Sequence, residues 1–220
     1  MRRRLYLMRH AEVSYVGEHD PRMVRLTPQG HEQAAAARAA LDGVELDLIV
    51  TSNLVRTVET AAVVAPGREP ERWEAFDEWR GGRLDGIPRD RLERMFVGAL
   101  HITGEEDRFL GGESLGEALD RVLPALEELV AQEWQTALAV LHGGVNRIVL
   151  SHALAGGRTY LGGLEQAPAC INVLDLDEQG WIVRTVNYVP YDPLHPARTT
   201  TMEHLWAQLE PWLDERAGGA

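Results

Sequence analysis

The sequence predicts an α/β fold in three layers, α/β/α, with a mostly parallel central sheet and a C-terminal β-hairpin. Three observations carry that prediction. Short apolar runs alternate with longer helical patterns along the chain, as in a sheet covered by helices on both faces. The run Ala137-Leu138-Ala139-Val140-Leu141 is apolar throughout, which suits a strand buried in the interior. Ile171 to Leu176 and Trp181 to Val186 flank Asp177-Glu178-Gln179-Gly180, which reads as a hairpin.

The elements follow in order. Leu5 to Met8 is a first strand. Thr27 supplies an N-cap and Pro28 a first-turn proline for an alanine-rich helix over Glu32 to Leu41. Leu46 to Val50 is a second strand, and Ser52-Asn53 are expected to cap a helix from Leu54 to Ala65. Arg72 to Phe76 reads as a weaker strand, and Pro88 to Leu100 as a helix. Glu113 to Trp134 reads as a long helix that carries Pro124 awkwardly. After the apolar strand comes a helix over Val145 to Leu154, and after the hairpin a proline-set loop over Pro190 to Pro196. A last amphipathic helix spans Thr201 to Leu213, with the tail Ala217 to Ala220 expected to fray. With no repeat or linker in view, residues 1–220 read as one domain.

Composition narrows the chemistry. All 22 residues counted as Lys+Arg are arginine. A lysine-free chain excludes the Walker phosphate loop, the pyridoxal Schiff base and the protein-kinase ATP lysine. A net charge of −12 argues against nucleic-acid or anionic-membrane partners, and leaves an anionic substrate only where arginines converge. The single cysteine, Cys170, cannot form an internal disulfide, which fits a reducing compartment. Arg2-Arg3-Arg4 precede an apolar stretch that ends at Met8, too short for a signal peptide or a membrane span. The expectation is a soluble, cytoplasmic protein.

Ligands of open α/β sheets bind beyond the carboxyl ends of the parallel strands. Those positions hold Arg9-His10 after the first strand, Ser52 and Arg56 after the second, Asp77-Glu78 after the third, and His142-Gly143-Gly144 after the fourth. Around a phosphoryl group each type has work to do. Arginine forks match phosphate oxygens, histidine can attack phosphorus, and a carboxyl can protonate the leaving oxygen. Glycines let backbone N–H groups approach an oxyanion. Taken singly, an Arg-His pair or a His-Gly-Gly turn is an ordinary surface feature; their joint placement at successive strand ends sets them apart.

In that order the residues resemble the histidine phosphatase superfamily, in its phosphoglycerate-mutase-like branch. Leu7-Met8-Arg9-His10-Ala11-Glu12 is similar to its Arg-His-Gly signature, with alanine in the third place. Leu26-Thr27-Pro28-Gln29-Gly30 with Gln33-Ala34, and Thr51 to Ala61 around Ser52, Leu54, Arg56 and Thr60, resemble two further segments. Glu78 with Gly82 and Gly86 has the spacing of its acid loop, and Gly111 to Leu115 and His142-Gly143-Gly144 match its remaining motifs. The resemblance implies phosphohistidine chemistry on a small phosphorylated metabolite, without metal or cofactor. His10 would carry the phosphoryl group. Arg9, Arg56, His142 and the Gly143 N–H would hold its oxygens, and Glu78 would serve as acid and then base.

Departures bear on the activity. The Trp-Asn pair of the mutases is replaced by Tyr15-Val16, and their lysine and adjacent arginine pair are missing. Hydrolysis is therefore the expected reaction, with a phosphoglycerate-type mutase or a catalytically weak phospho-ligand-binding relative as alternatives. Segment 83–112 would form a cap or specificity wall, in which Arg83, Arg89 and Arg91 either bind a second anion or line an exposed helix face. Tyr15, His19 and the loop from Tyr188 to His195 are candidate pocket residues. Trp79 packs beside the acid or fills the core. Oligomeric state is not readable, since the Trp206, Leu209, Trp212, Leu213 face suits a core or an interface equally.

Two other motifs are weaker. Gly112-Glu113-Ser114-Leu115-Gly116 matches a nucleophile elbow, but an elbow needs a strand before it, and Ser114 reads better as a helix cap. Asp175-Leu176-Asp177 resembles an aspartyl-phosphate motif whose partner lysine does not exist here. The residue six after Cys170 is Leu176, so there is no Cys-x5-Arg loop, and the remaining histidines lack metal-ligand spacing.

Overall fold

Alternate residues of two central strands point to opposite faces, and that alternation builds the layers. The computed structural model describes residues 1–17, 20–82, 87–101 and 104–218. Its elements are β1 (Arg3–Arg9), α1 (Pro28–Ala40), β2 (Leu48–Thr51), α2 (Val55–Val64), β3 (Glu71–Arg72), α3 (Arg89–Val97), α4 (Leu115–Ala131), β4 (Thr136–Leu141), α5 (Gly143–Ala155), β5 (Ile171–Asp177), β6 (Gly180–Tyr188) and α6 (Thr201–Gly218). Leu5 and Leu7 of β1, with Ala137, Ala139 and Leu141 of β4, join the cluster formed with α4 and α5. Met8, Leu138 and Val140 face the other way, onto α1 and α2. Leu5, Leu7, Met8, Leu138 and Leu141 are all at most 1% exposed, and such burial contributes about 1.5–3 kcal/mol per large side chain.

The sheet runs β3-β2-β4-β1-β5-β6. Pairs β3–β2, β2–β4 and β4–β1 are parallel, while β5 and β6 complete the sheet as an antiparallel hairpin. The carboxyl ends of β2, β4 and β1 therefore lie side by side. That edge receives Ser52, His142 and Arg9-His10.

Several boundaries differ from the sequence expectation, each for a local reason. Only Glu71–Arg72 pairs as a strand, and Glu74–Phe76 tightens into a 3-10 turn that buries Phe76. Helix α4 begins at Leu115, because Ser114 and Glu117 form a reciprocal capping box. It ends at Ala131 rather than Trp134, whose indole N–H turns back to the Leu129 carbonyl at 2.8 Å. Helix α6 runs through Ala217 to Gly218, beyond the Leu213 expected, while Gly219 and Ala220 lie outside the described residues. The segment between Pro88 and Gly112 holds α3 and short 3-10 turns. Helix α3 packs against α6 through Leu92, Phe96, Leu110 and Trp206. Trp206 is thus buried against the chain's own α3.

Candidate active site

Four buried polar side chains converge at the carboxyl edge of the central strands: Arg9 (8% exposed), His10 (2%), Arg56 (3%) and His142 (0%). His10 directly follows β1, where its N–H donates to the Leu141 carbonyl at 2.9 Å and its carbonyl accepts from Ala169 N–H at 3.1 Å. Its ring Nδ1 lies 2.7 Å from the Ala11 carbonyl oxygen. A carbonyl only accepts, so Nδ1 carries the hydrogen and Nε2 keeps the lone pair. Burial, then the charges of Arg56 and Arg9, hold the His10 imidazole well below its ordinary pKa. Those surroundings favour the neutral ring, whose Nε2 lone pair is then available.

The His142 ring lies edge-on to it, with centroids 5.2 Å apart. Its Nε2 is 2.8 Å from Ser52 Oγ, and its Nδ1 is buried without a partner. Burial, followed by the charges of Arg56 and the neighbouring groups, also depresses this imidazole. Arg9 donates from Nη1 to the Gln166 carbonyl at 2.6 Å, and Arg56 from Nη1 to the Pro21 carbonyl at 2.8 Å. The Nε atoms of both arginines are buried and unpartnered. A buried donor without a partner costs about 1–3 kcal/mol, so two arginine donors beside one histidine pair describe a cradle shaped for an acceptor-rich anion.

Gly143 opens α5, where its N–H has no intrahelical acceptor. A Cβ there would press on Arg147 Nη1 at 3.3 Å and Arg9 Nε at 3.6 Å. Next to it, Gly144 N–H donates to both oxygens of Glu78, at 3.2 and 3.3 Å. Trp79 N–H adds a bond to Glu78 Oε1 at 2.9 Å. The indole of Trp79 is buried and donates to the Glu113 carbonyl at 2.8 Å. It packs beside the acid and belongs to the core at once.

All the site residues expected from the sequence, His10, Glu78, His142, Arg9, Arg56 and Gly143, line this one edge. The other candidates are divided. Tyr15 sits under the Arg56 guanidinium, 5.8 Å from ring centre to Cζ. Tyr191 braces the start of β5 through a 2.7 Å bond from its hydroxyl to the Pro168 carbonyl. Arg91 is exposed on α3. His19, Arg83 and Gly86 lie outside the described residues, as do the side chains of Arg89 and Trp212. Among the described residues no three His, Cys, Asp or Glu side chains gather as a metal ion needs, and no helix is long and apolar enough to cross a membrane.

Ser52 does more than the capping expected of it. Leu54 is the N-cap of α2 and makes no side-chain cap bond, while Ser52 Oγ accepts from Leu54 N–H at 3.1 Å and meets His142. Thr60 was noted only as part of a motif; its hydroxyl donates to the Arg56 carbonyl at 2.7 Å and accepts from Ala11 N–H at 3.0 Å, tying α2 to the residue after His10. The buried Arg147 beside Arg9 was missed, although its position one turn after Gly143 was a usable signal. The alternative motifs have structural roles. Ser114 caps α4. Asp175 is 1% exposed between Arg4 and Arg184, at 2.8 and 2.6 Å. The Cys170 thiol is buried and pushed up to about 12 by that burial.

Comparison with known proteins places the site in context. Residues 5–189 match the model of the Histidine phosphatase superfamily (branch 1). The adenosylcobalamin/alpha-ribazole phosphatase of Escherichia coli K12 is 26% identical over 203 residues, which cover 84% of this chain and 95% of that protein. The glucosyl-3-phosphoglycerate phosphatase of Mycolicibacterium vanbaalenii is 32% identical over 163 residues, 65% of this chain and 70% of that one. The solved structure of a mycobacterial glucosyl-3-phosphoglycerate phosphatase superposes with a TM-score of 0.68 at 24% identity, covering 85% of this chain and 99% of that one. That last likeness is one of fold.

Proposed function

The chain belongs to the histidine phosphatase superfamily, and from that premise we propose that it hydrolyses a small phosphorylated metabolite through a phosphohistidine on His10. The observation that carries the reading is the fixed tautomer of His10, which leaves the Nε2 lone pair on a ring that feels the charges of Arg56 and Arg9, both with a buried, unpartnered Nε. In the first step Nε2 forms a bond to phosphorus while the ester P–O bond breaks, and Glu78 gives its proton to the departing alkoxide. In the second, Glu78 takes a proton from water, the new P–O bond forms, and the P–Nε2 bond breaks. The arginines, His142 and the Gly143 N–H hold the equatorial oxygens over which charge spreads in a loose transition state.

Hydrolysis suits this cradle better than mutase chemistry. A mutase must turn a bisphosphate intermediate without releasing it, and the lysine and adjacent arginine pair of that activity have no counterpart between Glu78 and His142. Residues 1–220 act as one unit in this reading, with the α3 segment over the site as a cap and a cytoplasmic setting. Rapid quench with a good substrate should trap acid-labile, base-stable phosphate on His10. His10→Ala should lose more than about a hundredfold in rate; a variant that keeps more than that removes His10 from the nucleophile's role.

A further inference from the structure

Residues 164–167 form a platform beneath two arginines, and the C-terminal helix holds that platform in place. The Leu164 carbonyl accepts from Arg147 Nε at 2.8 Å, and the Gln166 carbonyl from Arg9 Nη1 at 2.6 Å. Between them, Glu165 Oε2 stands 4.0 Å from Arg147 Nη2. Arg147 is 5% exposed and shares the face of Gly143 with Arg9 Nε. Two guanidiniums are thus buried near one another, with the Glu165 carboxylate at long range from Arg147 and the charge of Glu78 felt by Arg9.

That carboxylate is engaged elsewhere. Thr201, the first residue of α6, donates both its N–H (3.2 Å) and its hydroxyl to Glu165 Oε1. The same hydroxyl lies 3.3 Å from the Gln166 carbonyl that anchors Arg9. The start of α6 is itself fixed, because Thr200 and Glu203 bond reciprocally at 2.6 and 3.2 Å. Its body is pinned by Trp206 against Phe96 of α3, ring centres 6.1 Å apart. A carboxylate at a helix N-terminus is stabilised by the unpaired N–H groups there. Residues 5–189 carry the family match, and Thr201 lies beyond them.

We propose that Thr201 is a positioning residue for the phosphate cradle, acting by holding the Glu165 carboxylate on α6 and away from Arg147 and Arg9. Released from α6, Glu165 swings onto the two guanidiniums and competes with the phosphoryl group for them. The inference rests on the hydrolase reading for its context, but its test is a binding measurement independent of turnover.

The probe is inorganic phosphate, titrated calorimetrically into the full chain. Thr201→Val should weaken phosphate by about tenfold, the worth of one charge-assisted hydrogen bond, and Thr201→Ser should restore binding to within about twofold of wild type. Glu165→Gln should bind at least as tightly as wild type, because it removes the competitor, and adding Thr201→Val to it should cost nothing more. A merely structural threonine would weaken binding equally in both backgrounds, and that result overturns the proposal. So does a tenfold loss in Glu165→Gln alone, which decides the matter even where Thr201→Val does not fold. Wild-type protein that binds phosphate but turns nothing over sinks the hydrolase reading and leaves this one standing; protein that binds no phosphate sinks both.

Discussion

Gly144→Ala separates the acid from the rest of the machinery. A Cβ at this position would lie 2.7 Å from Glu78 Oε1, 3.3 Å from Trp79 Cβ and 3.5 Å from Trp79 Cε3. Carbon and oxygen in contact want about 3.3 Å, so the carboxylate must retreat by roughly 0.6 Å. The atom displaced is the tip of a flexible side chain, so the fold should absorb the change. Alanine even gains up to about 1 kcal/mol of helix propensity over glycine, and the thermal midpoint should barely move. Chemistry should not escape so lightly, because a misplacement near 1 Å can cost about a hundredfold. The assay compares kcat/KM for an alkyl phosphate and for p-nitrophenyl phosphate, since kcat/KM reports the steps up to phosphoryl transfer onto His10. The alkyl ester needs a proton on its leaving oxygen and should lose about 10- to 100-fold. The nitrophenolate leaves unaided and should lose less than about threefold. Equal losses on both substrates, or none on either, would refute the assignment of Glu78 as the acid.

Other perturbations follow from the same geometry. Arg56→Lys keeps the charge but turns a planar fork into a point charge, so kcat/KM should fall by more than about tenfold; full activity on steady-state assay would count against a shaped oxyanion clamp. His10 and His142 are both depressed below the ordinary value of 6.5. Below that pH the unfolded chain takes up protons that the folded one refuses. The associated stability is therefore complete above about pH 6.5 and is lost as pH falls, at up to about 1.4 kcal/mol per pH unit for each ring. Urea titrations from pH 7.5 to 5 should give His10→Gln a slope shallower by one proton; identical slopes would mean that His10 is not buried neutral. Asp175→Ala strips the partner from two half-exposed arginines, so it should cost about 1–3 kcal/mol in urea melts. Its kcat on p-nitrophenyl phosphate should stay unchanged, and a lost turnover would revive the Asp-x-Asp motif as chemistry.

What was legible in the chain was whatever a local pattern encodes. The apolar run over residues 137–141 marked β4 because both of its faces are buried, and the turn at 177–180 marked the hairpin. Arg9, His10, Glu78, His142 and Arg56 were legible because they sit at strand ends or, for Arg56, in the first turn of the helix that follows one, where sheet topology leaves few places to go. The third strand was misjudged because Arg72 to Phe76 has strand-like composition, yet Phe76 reaches the core through a 3-10 turn. The contacts of Ser52 and Thr60, and any part for Glu165 and Thr201, were invisible for a different reason. Their roles depend on contacts across long stretches of chain, 90 residues from Ser52 to His142 and 36 from Glu165 to Thr201. Hydroxyl and carboxylate residues of that kind read locally as caps and solvated surface.

The absence of lysine takes on a physical meaning at this site. Burial pulls the Arg9 guanidinium below its ordinary value, with Arg147 adding to the effect. A guanidinium starts high enough to stay charged through such a penalty. An ammonium begins near 10.4 and gives up its proton readily when buried, so lysine at the same depth would be drawn toward the neutral form. It would then offer a phosphoryl group a weak donor in place of a charge. Three arginines, Arg9, Arg56 and Arg147, are each at least nine-tenths buried around one histidine pair. Only a group that keeps its charge in such surroundings can form that cradle, so a lysine-free chain gives up nothing there. The buried Nε atoms of Arg9 and Arg56 have no protein acceptor, so an oxyanion placed there would meet donors that no protein group competes for, provided the Glu165 carboxylate stays on α6.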